Sequence, residues 1–256
     1  MYATNYFEDL MLNIAAQAQN IPAVTMPYLE LFLSNPGDEG NSGTPISYSG
    51  YARQLITFSD PAADGSGLSM QNVGQITFAE SPINAGQVTY VGVYDAISGG
   101  HLLLYGQLDT PLQVNANVSP VFRDGSIKWL WSGNLNNYYR RLIMSTLLRT
   151  GTACPGFTPY IGLHNNDNEF SGNNYARMPI SFTPPVQQAS GADMISNADE
   201  IVSSIATGNW GTLNKVVIYD APANGHAYAE ISVNSMTMTT GYAVVFHTGD
   251  LQFSIN

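Results

Sequence analysis

Residues 51–61 read YARQLITFSDP, and residues 175–184 read YARMPISFTP. Both begin Tyr-Ala-Arg, both place an apolar residue two positions before a phenylalanine, and both run out at a proline. The alternation Ile56-x-Phe58 and Ile180-x-Phe182 has the period of a strand with one covered face. A segment written twice, about half a chain apart, points to internal duplication. Duplication governs how every other segment is read.

Other segments match in unchanged order on both sides of this pair. Tyr6-Phe7 is answered by Tyr138-Tyr139, and Pro27-Tyr28-Leu29 by Pro159-Tyr160-Ile161. Asn72 answers to Asn197. Val91-x-Val93-Tyr94-Asp95-Ala96 answers to Val216-x-Ile218-Tyr219-Asp220-Ala221, with His101 and His226 following in register. The offset changes only between blocks, chiefly at the Gly/Ser/Pro-rich stretch Gly37 to Ser49, which is longer in the first copy. The chain therefore reads as two homologous domains, 1–133 and 134–256.

Each copy has the same plan. Phe7, Leu10, Met11, Ile14 and Ala18 keep helical spacing, with Asn5 and Glu8 placed as a capping box. Tyr139, Leu142, Ile143, Thr146 and Leu147 repeat that face, and Gly151 is a natural stop. After each helix come short alternating runs broken by Asn, Gly, Pro and Asp, the pattern of antiparallel strands. The expected fold is all-β, mainly an antiparallel sandwich or jelly-roll-like arrangement of six to eight strands per domain, each domain preceded by one short helix.

Composition narrows the function classes. Eight Lys and Arg stand against nineteen Asp and Glu, and no basic run occurs, which argues against nucleic-acid binding. No stretch approaches the roughly 18 apolar residues of a membrane span, and no basic-then-apolar leader opens the chain. The lone cysteine, Cys154, permits no intrachain disulfide and reads as a buried free thiol, as in a protein assembled in a reducing cytoplasm.

Few residues carry chemistry. Arg53 and Arg177 start matched strands, and Asp95 and Asp220 end others. An arginine so placed either meets an anionic ligand or braces the rim of its own domain by bonding a carboxylate or strand-end carbonyls. The second reading is favoured, because both halves keep both residues without needing two identical active sites. The histidines have no metal-ligand spacing, so no metal and no cofactor is expected. Asp38-Glu39 and Asn165-Asn166-Asp167-Asn168-Glu169 have the oxygen-rich composition of calcium loops, yet lack EF-hand spacing and equally suit turns. Neither a GxSxG elbow nor a phosphate-binding glycine loop occurs, and no catalytic residue is assigned. Trp129 and Trp131, two apart, share one strand face. They suit an anchor that packs the first domain against the second or against another subunit or, less readily, a sugar-stacking platform.

The motifs together resemble a family. P-Y-L-x-L-F-x-x-x-P-G at Pro27 to Gly37, Y-A-R-x-x-x-x-F at Tyr51 to Phe58, a strand at Ile76 to Ala79 and V-x-x-V-G-V-Y-D-A-x-x-G-G-x-L-L-Y-G-x-L at Val88 to Leu108 are similar to small bacteriophage virion proteins labelled tail fibre proteins. The second half is eroded, with Gly162, His164 and Asn165 replacing Glu30, Phe32 and Leu33. The doubling and the lack of a repetitive stalk depart from a fibre pattern. The resemblance implies a non-enzymatic virion component, assembled in the host cytoplasm, contacting other capsid or tail proteins and forming a homo-oligomer. A host-glycan-binding module is the alternative.

Overall fold

The computed structural model describes residues 1–16, 26–133, 135–149, 156–188 and 193–255. Ala18, Gly151 and Cys154, singled out above, lie outside them. Packing divides the chain into two compact units. The first comprises Met1–Leu10, Pro22–Ser132 and Arg141–Cys154, and the second Met11–Ile21, Gly133–Arg140 and Pro155–Asn256. Each unit thus draws helical residues from both copies of the repeat.

In the first unit the main sheet is antiparallel, in the order Tyr2–Ala3, Leu102–Val114, Gly86–Tyr94, Tyr28–Phe32, Gln54–Leu55. The central strand GQVTYVGVY buries Val88, Val91 and Val93, and Leu29 and Leu31 pack beside them. Lys128–Trp131, Gly67–Gln71 and Ala62–Asp64 form a three-stranded sheet, and Ile76–Thr77 pairs with Val121–Phe122. Each copy carries ten described strands, several only two residues long, where spacing suggested six to eight. Periodicity cannot register a two-residue ladder. It also missed the length of Leu102–Val114, because exposed polar residues and Pro111 interrupt its far end.

The second unit repeats this plan. Asn168–Glu169, Tyr160–Asn165, Gly211–Tyr219 and Ala227–Met238 form the main sheet in that order, with Met178–Pro179 also on Tyr160–Asn165. Val186–Gln187, Asp193–Ser196 and Gln252–Ser254 form the three-stranded sheet, and Ile201–Val202 pairs with Val245–Phe246. The largest repeat difference is local. In the first unit, chain 34–45 loops out before Ile46 donates to Leu31 O; in the second, Phe170 makes the equivalent bond to Leu163 O after the turn at Asn166.

Two helices are described, Asn5–Ala15 and Asn137–Leu148, neither long and apolar enough to cross a membrane. The first is capped one residue earlier than the spacing suggested. Thr4, not Asn5, precedes the first helical residue and accepts from Phe7 N through Oγ1 at 3.3 Å. Its hydroxyl also donates to Leu102 O at 2.6 Å, so one side chain starts the helix and ties it to the sheet. Asn136 takes the same place before the second helix, accepting from Tyr139 N at 3.1 Å. Caps of this kind contribute about 1 kcal/mol.

A buried asparagine is the clearest duplicate. Asn72 accepts from Ile127 N through Oδ1, at 2.8 Å, and donates through Nδ2 to Gly74 O and Arg123 O. Asn197 accepts from Leu251 N at 2.9 Å and donates to Asp199 O and His247 O. Both are fully buried, and three satisfied bonds explain why an amide is tolerated there.

Candidate functional site

The structure gathers most of the singled-out residues at one end of each main sheet. In the first unit, the guanidinium of Arg53 lies 3.4 Å from the centre of the Tyr94 ring. Its Nε donates to Glu30 Oε2 at 2.7 Å, and Nη2 lies 2.7 Å from the same oxygen. Nη1 donates to Ala96 O at 2.9 Å and Gly99 O at 2.6 Å. One planar cation thus joins a strand carboxylate, a ring face and both sides of the turn that follows Tyr94. The five donors of arginine suit such a task, and lysine has no equivalent geometry.

The aspartate is not the partner of the arginine. Asp95 Oδ1 accepts from His101 N at 2.7 Å, and Oδ2 lies 3.2 Å from His101 Nδ1. Tyr6, from the first turn of the helix, stacks on the imidazole with ring centres 3.9 Å apart. The close approach of backbone and carboxylate requires a residue without a side chain. Gly100 has φ +68°, and a Cβ there would sit 2.1 Å from Asp95 Oδ1.

The second unit rebuilds the arrangement. Arg177 lies 3.3 Å from the Tyr219 ring centre and donates to Ala221 O and Asn224 O at 2.9 and 2.7 Å. Asp220 binds His226 N at 2.6 Å and lies 3.2 Å from Nδ1, and Tyr138 stacks on the ring at 3.9 Å. Gly225 repeats φ +68°, with a Cβ meeting Asp220 Oδ1 at 2.2 Å.

One part has moved. The position of Glu30 is Gly162 in the second copy, so Arg177 takes its carboxylate from Glu169, with Nε to Oε1 and Nη2 to Oε2 both at 2.8 Å. A Cβ on Gly162 would lie 2.9 Å from Glu169 Oε1 and 2.8 Å from the Tyr219 ring, so the glycine opens the space that the relocated carboxylate fills. Burial would raise the Glu169 carboxyl, but hydrogen bonds from Arg177 and Tyr175 and the charge of Arg177 outweigh it and hold the group below its ordinary value. Repeat matching could not find Glu30 and Glu169, because they are not at matched positions. The visible signal was weaker: Glu30 is the one acid within the strand Tyr28–Phe32.

Tyr51 and Tyr175 complete each brace, accepting from Leu31 N and Leu163 N at 2.9 Å. Burial raises both phenols. Phe32 stacks on Tyr94, and its counterpart His164 stacks on Tyr219 with Nε2 2.9 Å from the phenol oxygen. His164 is buried, which lowers its pKa.

The tryptophans are placed elsewhere. Trp129 and Trp131 are only 2% and 5% exposed, stacked on each other at 5.7 Å, with Phe7 edge-on to Trp129. Their counterparts are Phe253 and Ile255, also buried. Both rings are covered within the chain and offer no exposed face to a sugar ring.

The oxygen-rich loops are engaged internally. Asp38 accepts from the Tyr105 hydroxyl, Glu39 from Asn5, Asp167 from Lys215, and Asn166 exchanges two bonds with Asn214. Among the described residues, no group of three or more His, Cys, Asp and Glu is arranged to hold a metal ion. Chemically, each assembly can fix a turn. Each arginine is spent on carbonyls and a carboxylate, each aspartate on a histidine, and each histidine face on a tyrosine.

The family described as Podophage GP4 fiber I protein gp80 matches residues 2–129 and again residues 134–254. The chain belongs to that family. It is a tandem duplication of the gp80 unit, and gp80 membership makes it a phage virion, fibre-like structural protein. A search of curated proteins found no match. Each matched segment contains one helix and one braced turn, so the brace lies inside the family unit.

Proposed function

We propose that this chain is a non-enzymatic part of the phage particle that works through protein–protein contact, as a tail-fibre-like element, adaptor or capsid decoration. The observation that supports this reading is the brace that survives relocation of its own carboxylate, from Glu30 to Glu169. A reaction centre depends on which group stands where; a scaffold needs only that the turn stay fixed. The unit of duplication is 1–133 and 134–256, and two similar units in one chain offer similar surfaces to neighbouring, quasi-equivalent places on a particle. Three such chains around an axis would give a pseudo-sixfold ring, an arrangement in keeping with the symmetry of most homo-oligomers.

The partners are other capsid or tail proteins and further copies of the chain. The test is a phage lacking this reading frame. Particles that assemble without the chain and lose an appendage or attach poorly support the proposal. Unchanged particles and infection would overturn it. Purified chain bound to host glycans, with no particle-borne copy, would favour the recognition-module alternative.

A further inference from the structure

The compact units and the sequence copies do not coincide, and the first unit shows why. Arg141, four residues into a helix that belongs to the second copy, donates through Nη1 to Pro61 O. Arg149, just past that helix, pairs with Asp60. Leu148 and Arg149 lie with Pro27, Leu55, Ile56 and Phe58 around one depression of the first unit. Ile143, Met144, Leu147 and Leu148 are all at most 1% exposed. Two cation contacts hold the segment to residues 60 and 61, and Leu148 lies between them at the depression.

From this we infer that the gp80 unit carries a receptor for a helix end supplied by another repeat, and that in this chain residues 141–149 occupy the receptor formed by 26–27 and 54–61. The first copy, 1–133, is then incomplete by itself. It is finished by a helix end encoded beyond the repeat boundary, and the duplicated chain supplies that end covalently.

The test uses the full chain with a specific protease site inserted between Gly133 and Asn134. After cutting, the pieces are expected to remain together in native gel filtration at the size of the uncut chain. Leu148→Ala should weaken their association at least tenfold, as removal of a buried leucine side chain does. Arg149→Glu or Asp60→Arg alone should weaken it roughly twofold to fivefold, in the range of exposed ion pairs, and the two together should restore it. Should the Leu148 variant fail to fold, the charge-reversal set still decides. Pieces that separate, each keeping a β-type spectrum and its own melting transition, would overturn the inference. So would pieces that stay together but respond neither to Leu148→Ala nor to the charge reversals.

Discussion

Replacing Arg177 with alanine tests the brace where it is best satisfied. The guanidinium makes two bonds to Glu169, two to the carbonyls of Ala221 and Asn224, and one ring contact with Tyr219. Hydrogen bonds to charged groups contribute about 1.5–3 kcal/mol each, but those of one side chain do not add. Truncating one member of a buried pair costs about 3–5 kcal/mol, chiefly because the other charge is left without its partner. The Arg177 side chain is 8% exposed and Glu169 24%, so water reaches the orphaned carboxylate and reduces that cost to about 2–4 kcal/mol. At about 4–8 °C per kcal/mol for a small domain, the melting transition of the second unit should fall by roughly 8–30 °C. Calorimetry reads this directly. Arg177→Lys should recover less than half, because an ammonium cannot span the carboxylate and both carbonyls. Adding Glu169→Gln to Arg177→Ala should cost less than the sum of the single changes. A normal transition for Arg177→Ala, together with lost attachment to the particle, would refute the brace and revive an outward-facing arginine.

Asn72→Ala and Asn197→Ala each leave buried backbone groups without partners, and each should cost about 2–4 kcal/mol in its own unit by chemical denaturation. Gly225→Ala forces a side chain onto Asp220 and into positive φ, so it should cost more than the roughly 1 kcal/mol of an ordinary glycine change. The second unit should also weaken in acid in two stages. Burial holds the folded-state pKa of His164 below 6.5, so its share of stability is full above pH 6.5 and is lost as pH falls toward the folded value. The Glu169 share is present above its ordinary value of 4.5 and is lost as pH falls through the lower folded value. His164→Phe, the residue of the first copy at Phe32, should remove the first stage; a variant that still weakens from pH 6.5 downward would contradict this assignment.

The sequence made the architecture legible because duplication gives each segment a second witness. Val91-x-Val93-Tyr94-Asp95-Ala96 and its counterpart marked the central strand and the turn after it. Asn72 and Asn197 stood out as a matched pair, while their burial and their three bonds each are legible only in the structure. Three kinds of feature stayed hidden. The partner of the arginine was hidden because it occupies unmatched positions, and the aspartate beside it drew attention by matching. The burial of Trp129 and Trp131 was hidden because alternation says that two residues share a face but not which face is covered; Phe253 and Ile255 held the answer. The allocation of helix segments between units was hidden because periodicity describes an apolar stripe and is silent on what covers it.

The most direct test of the central claim is a reconstruction of the intact particle at a resolution that traces side chains. This chain is expected on the particle as density for two repeats of one fold, with Arg53 and Arg177 each closed over its tyrosine and turned away from neighbouring proteins. A particle without the chain, or one in which these arginines reach out to a neighbour or a glycan, would contradict it.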